Sequence, residues 1–281
     1  MAKLLSGSEV AAALNARLAN DIAALKEKGI IPTLAVVRVG ERPDDLSYER
    51  SVCKRCETLG IAVRRLTFEA EISQQAFLSA IDRLNRDAEV HGVLIFRPLP
   101  KQIDDEAVCR LLDPQKDVDG ITDTSMMGVV SGTGRGFAPC TPQACMEILA
   151  HFGIALEGKR VTVVGRSLVV GKPVAMMLLK RNATVTLCHT KTADLPAVCR
   201  SAEILVVAAG KAGVVGAAHC APDQVVIDVG INVNEAGKLV GDVRFEEVEP
   251  VVAAITPVPG GVGAVTTSVL LSHVVQAAAR V

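Results

Sequence analysis

Aromatic residues are scarce in this sequence. Its 281 residues include no tryptophan, one tyrosine and six phenylalanines, and aromatic residues make up only 2% of the chain. Since 49% of the residues are nevertheless hydrophobic, we expect a full core built from Val, Ile, Leu and Ala. The length is comfortable for two domains.

Long apolar runs and an excess of charge of either sign are also missing. No apolar stretch approaches the ~20 residues of a membrane-spanning helix, and 30 basic against 31 acidic residues leave a net charge of −1. The N-terminal segment lacks the apolar region and cleavage site of a signal peptide, and its apolar residues follow helical spacing instead. The composition therefore predicts a soluble, cytoplasmic protein and disfavours nucleic acid or a membrane as a partner.

The eight cysteines indicate neither a disulfide framework nor a metal site. They are scattered along a chain that is too long to need cross-links. Cys53 and Cys56 form the only C-x-x-C pair, but they fall inside a predicted helix rather than between a strand and a helix start. No second pair follows at zinc spacing. We expect reduced thiols, two ordinary helix cysteines at this pair, and no bound metal.

Segments typical of strands and of helices alternate along the chain, which predicts an α/β protein with parallel sheets covered by helices. The predicted strands span 33–39, 61–68, 92–96, 160–165, 183–189, 203–210 and 224–230. The predicted helices span 6–28, 45–59, 73–86, 103–112 and about 266–279.

The stretch 125–139 separates the two halves. It is rich in Gly and Pro and is predicted to be a linker. Its Gly132, Gly134 and Gly136 resemble a nucleotide-binding loop, but no buried strand precedes them and no helix opens directly after them. We therefore expect a flexible loop there.

A better candidate for a nucleotide-binding turn lies where the first strand of the second half ends. That apolar strand leads directly into Gly165, and Gly171 opens a helix after a short turn. The spacing is not the common G-x-G-x-x-G. A strand, a tight turn and a helix N-terminus are still the context in which free backbone amides hold a pyrophosphate. A βα turn without a ligand is the alternative.

The end of the next strand indicates which cofactor would bind. Enzymes that prefer NAD usually carry a carboxylate there for the ribose 2′-hydroxyl. Here the strand ends in Cys188-His189-Thr190-Lys191, with no carboxylate, and Arg166 is a second nearby cation. This favours NADP over NAD, while solvated loop charges are the alternative.

Seven short motifs can be compared as a set, because they are spread in order over the whole chain. They are PLP (98–100), QKDVDGIT (115–122), VGRSLVVGKP (164–173), TVTLCHTKT (184–192), VVIDVGIN (225–232), GDV (241–243) and ITPVPGGVG (255–263). Together they closely resemble the bifunctional methylenetetrahydrofolate dehydrogenase/cyclohydrolase family. The resemblance implies a catalytic α/β domain (1–124), the linker (125–139), a Rossmann-type NADP-binding domain (140–264) and a C-terminal helix (265–281) that returns to the first domain. It also implies a tetrahydrofolate substrate in the cleft between the domains, and a homodimer.

The same resemblance assigns site residues. Tyr48 matches the tyrosine that stacks on the aminobenzoate ring of the folate, and Asp117 matches an aspartate that hydrogen-bonds the pterin. The residues Pro259, Gly260 and Gly261 are implied to bind substrate. The implied cofactor-binding residues are Gly165, Arg166, Ser167, Gly171, His189, Thr190, Gly210 and Ile231.

Two positions depart from the family pattern. The family has a lysine four residues after the tyrosine and a glutamine after the third strand, and this chain has Val52 and Phe96 there. Lys54 is six residues from Tyr48 and should project from another face of the helix. Oxidation of the one-carbon bridge removes a hydride and needs no proton transfer, whereas hydrolysis of the product does. The sequence therefore predicts an NADP-dependent methylenetetrahydrofolate dehydrogenase with weak or absent cyclohydrolase activity.

Three alternatives stay open. The chain is a full bifunctional enzyme if Lys54, Arg97 or a water replaces the lysine. It acts on another pterin if the substrate pocket has changed, since Asp45, Ala264 and Val265 also differ from the common family pattern. It is a non-catalytic NADP-binding protein if the chemistry has been lost, although the retained folate-site motifs disfavour this.

Overall fold

The computed structural model describes residues 1–280. The helices, in chain order, are α1 (Gly7–Glu27), α2 (Pro43–Leu59), α3 (Gln74–Arg86), α4 (Asp105–Leu111), α5 (Asp123–Ser131), α6 (Cys140–His151), α7 (Gly171–Lys180), α8 (Leu195–Arg200), α9 (Phe245–Val248) and α10 (Val262–Ala278). The strands are β1 (Lys3–Leu4), β2 (Thr33–Val39), β3 (Ala62–Phe68), β4 (Gly92–Ile95), β5 (Arg160–Val164), β6 (Thr184–Cys188), β7 (Ile204–Val207), β8 (Val225–Asp228), β9 (Asn232–Val233), β10 (Leu239–Val240) and β11 (Ala254–Ile255).

The chain forms two compact units. The first unit contains Met1–Ala13 and Pro139–Thr266, and the second contains Leu14–Ala138 and the chain from Thr267 onwards. Helices α1 and α10 each begin in the first unit and end in the second.

A six-stranded parallel sheet organises the first unit. Its order is β1-β11-β8-β7-β5-β6, and every pairing within it is parallel. Strand β7 is buried along its whole length and carries only Ile, Leu and Val, as expected for a parallel strand covered on both faces. The carboxyl ends of β5, β7 and β8 meet at one edge, where ligands of open α/β sheets bind.

A smaller parallel sheet organises the second unit, in the order β3-β2-β4. Its central strand β2 is buried at all seven positions. Phe77, on α3, packs completely buried in a core of Val, Ile and Leu side chains. The predicted aliphatic core and the two-domain α/β fold are confirmed.

The segment predicted to be a linker differs from its prediction. Helix α5 covers its first part, and Thr122 caps that helix by accepting a hydrogen bond from the Ser125 N–H at 3.2 Å. A capped turn of this kind stabilises a short helix despite a mean composition that favours a loop. The three glycines after it all have left-handed backbone angles, with φ of +69°, +70° and +68°.

The N-terminus also differs from its prediction. Residues 1–13 were expected to belong with the catalytic half, but β1 pairs with β11 at the edge of the six-stranded sheet. A strand of two residues carries no periodicity from which it could be predicted. The same holds for the short strands β9, β10 and β11.

All eight cysteines are free thiols. The C-x-x-C pair lies on α2 with both residues buried, and burial raises the pKa of Cys56 to about 12. The pair therefore consists of two ordinary helix cysteines, as predicted. Among residues 1–280 no helix is long and apolar enough to cross a membrane, and no His, Cys, Asp or Glu group of three or more is arranged to hold a metal ion.

Candidate functional site

The turn between β5 and α7 is closed by two glycines that contact backbone. Gly165 has φ of +122°, and a Cβ there would stand 2.0 Å from the Ala208 carbonyl oxygen. A Cβ on Gly171 would stand 2.1 Å from the Gly165 carbonyl oxygen. Only glycine fits at either position, so the turn is as tight as the sequence predicted.

Ser167 lies in this turn and bonds to the backbone at the start of α7. Its hydroxyl accepts hydrogen bonds from the N–H groups of Val170 at 3.1 Å and Gly171 at 3.4 Å. These amides, expected to be free for a pyrophosphate, are thus bonded to the serine in this structure. The arrangement still presents an exposed serine and the exposed Arg166 beside a helix N-terminus, where the helix dipole favours an anion.

The end of β6 lies beside this turn. Val164 and Cys188 are partners in the parallel pairing of β5 and β6, so the residues that follow both strands emerge at one edge of the sheet. The His189 ring is oriented by its Nδ1 atom, which accepts from the Lys191 N–H at 3.1 Å. Thr190 and Lys191 are exposed. The two cations expected near a ribose phosphate, Arg166 and Lys191, are therefore accessible, and so is the Thr190 hydroxyl.

A cavity of about 260 Å³ lies at the end of β8. Its lining includes the exposed Ile231 and the segment Pro259, Gly260 and Gly261. The structure thus brings together one residue predicted to bind cofactor and three predicted to bind substrate.

Two buried aspartates, Asp228 and Asp242, bond to the backbone of the loops around this cavity. The Asp228 carboxylate accepts hydrogen bonds from the N–H groups of Gly230, Asp242 and Val243, each at 3.0 Å. Both aspartates lie in motifs that carry the family resemblance, VVIDVGIN and GDV, but the sequence predicts no role for either. Many of their partners are backbone N–H groups of loops distant in sequence. Such contacts cannot be predicted from a local sequence pattern.

In the second unit, Tyr48 and Phe96 form an aromatic pair. Tyr48 lies on α2 and is 40% exposed, whereas Phe96 follows β4 and is 6% exposed. Their ring centroids are 5.5 Å apart with the planes inclined by 39°, a favourable tilted geometry. Phe96 therefore packs against the tyrosine ring, which stays partly exposed.

Val52 and Lys54 occupy different surroundings on α2. Val52 is completely buried, and the exposed Lys54 lines a surface groove together with Arg65 of β3. Tyr48 instead contacts Phe96 next to β4, and β2 lies between β3 and β4 in the sheet. The prediction that Lys54 projects from another face than Tyr48 is confirmed.

Glu49 explains why the buried side of α2 is fixed. Its carboxylate accepts from the Arg38 Nε atom at 2.8 Å and lies 3.4 Å from Arg65. Both Glu49 and Arg38 are buried. This ion pair was missed in the sequence, where Arg38 is a lone charge within an otherwise apolar strand.

Arg97 is held by a carboxylate. Its guanidinium donates two hydrogen bonds to Asp105, one from Nε to Oδ1 at 2.8 Å and one from Nη2 to Oδ2. This bidentate contact fixes the arginine. A guanidinium stays protonated at every physiological pH, so Arg97 has no proton-transfer function near neutrality.

Asp117 is completely buried and its carboxylate is bonded within the chain. Oδ1 accepts from the Ile121 N–H at 2.9 Å, while Oδ2 accepts from the Thr122 N–H at 2.8 Å and the Ser125 hydroxyl at 2.6 Å. This geometry opposes the expectation that Asp117 contacts a pterin, since no part of it is exposed. Asp119, two residues further, is half-buried and acts electrostatically on Arg97.

Comparisons with known proteins agree over the whole chain. Residues 5–119 match the model of the tetrahydrofolate dehydrogenase/cyclohydrolase catalytic domain, and residues 139–281 match the NAD(P)-binding domain of the same family. The chain is 50% identical over 279 residues to the bifunctional protein FolD of Carboxydothermus hydrogenoformans, covering 99% of this chain and 97% of that protein.

Solved structures extend the likeness to the fold. The bifunctional FolD enzyme of Campylobacter jejuni superposes with a TM-score of 0.97 at 40% identity, covering 100% of this chain and 99% of that one. The methylenetetrahydrofolate dehydrogenase-cyclohydrolase of Trypanosoma brucei, solved with NADP and an inhibitor, has a TM-score of 0.91 at 34% identity, covering 99% and 98%.

The titration of Asp228 leads to a stability prediction. Its pKa is raised from 3.8 to about 6, chiefly by burial and in smaller part by the charge of Asp242, while the three backbone donors oppose the shift. The folded chain thus binds this proton more tightly than the unfolded chain, so the stabilisation is present in acid and is lost as the pH rises through 6. Between about pH 5 and about pH 7.5, the free energy of unfolding of the wild type should fall by about 1 kcal/mol more than that of Asp228→Asn. Urea unfolding of both proteins at both pH values measures the difference, and equal changes in the two would contradict the assignment.

Proposed function

Because this chain belongs to the tetrahydrofolate dehydrogenase/cyclohydrolase family, we propose that it is an NADP-dependent methylenetetrahydrofolate dehydrogenase with little or no cyclohydrolase activity. The dehydrogenase role follows the family. The loss of the second activity is supported by one observation: a completely buried valine and a buried phenylalanine, Val52 and Phe96, occupy the positions expected to carry the lysine and glutamine.

The two reactions differ in what they ask of the protein. Removing a hydride from the one-carbon bridge leaves a cation that two folate nitrogens share, so the protein mainly has to position the substrate. NADP, when bound, supplies the hydride acceptor. Adding water to that cation requires a group that moves a proton at neutral pH. Neither a valine nor a phenylalanine side chain carries an exchangeable proton.

A bifunctional enzyme is the second candidate, because relatives of about 50% identity carry that name. It needs a replacement for the lysine. Lys54 lies in the groove beside β3, and Arg97 is locked to Asp105. A positioned water is the remaining substitute among those considered.

For the substrate, the geometry favours Tyr48 and Asp119. The Tyr48 ring packs against Phe96 and is 40% exposed, so an aromatic ring of the substrate can stack on it. The pterin edge presents an amino group and a ring N–H, which a carboxylate accepts as a pair. We assign this carboxylate to the half-buried Asp119 rather than to Asp117, whose oxygens are bonded to the chain.

The principal test is a spectroscopic time course with methylenetetrahydrofolate and NADP. The methenyl product should accumulate in step with reduced cofactor and then decay at its spontaneous rate, measured separately without enzyme. A lost proton-transfer group costs about 10²- to 10⁴-fold in rate, which is well within detection. Methenyl decay far above the spontaneous rate would sink the proposed loss of cyclohydrolase. Absence of both products would point to another pterin.

A reconstruction gives the complementary measurement. Val52→Lys combined with Phe96→Gln should raise methenyl hydrolysis by about tenfold or more, because it returns an amine and an amide to the site. The matched control, Val52→Met with Phe96→Gln, introduces a similar chain without the amine and should hydrolyse at the spontaneous rate. Equal hydrolysis by both variants would show that the amine is not the missing group.

Cofactor preference rests on Arg166 and the residues after β6. Arg166→Ala should raise the KM for NADP about tenfold and leave the KM for NAD nearly unchanged, because charge-assisted contacts to a phosphate are lost. Arg181→Ala removes the same charge just past the other end of α7 and serves as the control. Equal effects of Arg166→Ala on the two cofactors would contradict a role in choosing NADP.

A further inference from the structure

The buried carboxylate of Asp242 joins two loops at the carboxyl edge of the six-stranded sheet. Its Oδ2 atom accepts from the backbone N–H of Gly210 at 2.8 Å, and its Oδ1 atom accepts from the side-chain amide of Asn232 at 2.9 Å. Gly210 lies in the loop after β7 and Asn232 begins β9, just past the end of β8. One side chain thus sets the separation of two loops that are remote in sequence.

The surroundings of this carboxylate leave the side chain no space to change its conformation. Asp242 is completely buried, and a Cβ on Gly230 would stand 2.3 Å from its Oδ1 atom. Its own N–H donates to Asp228 at 3.0 Å, and its carbonyl accepts from the Val215 N–H at 3.1 Å. Because the Asp242 side chain is held by its surroundings, it fixes the positions of the Gly210 N–H and the Asn232 amide that bond to it.

Both loops belong to the region where a cofactor of this sheet binds. Ligands of open α/β sheets bind beyond the carboxyl ends of the strands, which here means the ends of β5, β7 and β8. Ile231, directly before Asn232, is 64% exposed and lines the cavity of about 260 Å³. Gly210 has φ of +65° and turns the chain at the end of β7.

We propose that Asp242 is a positioning residue for NADP, and that its bridge between Gly210 and Asn232 holds the loops after β7 and β8 at the separation that cofactor binding requires. Asn232 supplies the side-chain donor of this bridge. The inference depends on NADP binding by the first unit and is independent of which folate reactions the chain catalyses.

Exchanging the amide and the carboxylate between positions 232 and 242 reverses the direction of their hydrogen bond and leaves the net charge unchanged. Asn232→Asp places a second carboxylate within hydrogen-bond distance of the first, and the two repel. Adding Asp242→Asn restores the bond with the opposite polarity, because Asn at 242 donates to Asp at 232 and its amide oxygen still accepts from Gly210. Asn234→Asp is the matched control, since it adds the same charge on the same hairpin, where the Asn234 side chain only accepts from Ala236 and Lys238.

The measurement is the Kd of NADPH, taken from the fluorescence of the reduced cofactor, with KM and kcat beside it. Asn232→Asp should weaken binding about tenfold, the double variant should return to within about threefold of the wild type, and Asn234→Asp should stay within about twofold. The kcat at saturating cofactor should change little in all three.

Two results would overturn the proposal: an unchanged Kd in Asn232→Asp, or a weakened Kd that the double variant does not recover. A fall in melting temperature without a change in Kd would assign the bridge to stability alone, and also contradicts it. If Asn232→Asp fails to fold, the double variant and Asn232→Ala decide, with binding close to wild type expected in the former and several-fold weaker binding in the latter. Because binding is measured without folate, an error in the proposed reaction leaves this test intact.

Discussion

Buried aspartates bonded to backbone N–H groups hold the loops of both units. Asp117 fixes the turn that leads into α5. Asp228 bonds to the chain after β8 and to the chain after β10. Asp242 bonds to the loop after β7. Backbone groups at the ends of parallel strands have no partners within the sheet, and a buried unpaired N–H is costly. A carboxylate satisfies several at once, so it fixes the irregular loops that follow the strands. The raised pKa of Asp228 reflects the cost of burying that charge.

This constraint separates residues that shape the site from residues that face a ligand. The motif KDVDG holds two aspartates, and the family resemblance assigned the pterin contact to Asp117. Burial distinguishes them, because the completely buried Asp117 carboxylate is bonded to its own chain and supports a loop, while Asp119 is only half-buried. Glu49 is a similar case on α2: its buried pairing with Arg38 fixes the helix rotation, and with it the direction in which Tyr48 points.

Much of the fold could be predicted from periodicity. The runs of Val, Ile and Leu in β2, β5 and β7 and the helical spacing in α1 gave the α/β class and nearly the observed boundaries, because burial on both faces leaves a continuous apolar signature. The glycine turn at Gly165 was also predictable, since no other residue fits. The short strands, helix α5 and the Asp242 bridge were not predictable. They depend on contacts between segments distant in sequence, which a local pattern does not contain.

Sequence identity over the whole chain is evidence about the fold, whereas single positions decide whether a proton can be transferred. A likeness of about half the residues over the full length fixes the fold, because hundreds of small contributions have to agree for the same sheets to form. A proton-transfer step depends on one or two side chains, and a difference at two positions such as Val52 and Phe96 barely changes the total identity. The replacements also fit their surroundings: the valine is fully buried, and the phenylalanine packs against Tyr48. An aromatic pair beside a buried valine offers a surface for stacking and no side chain that moves a proton, and the proposed loss of cyclohydrolase rests on that combination.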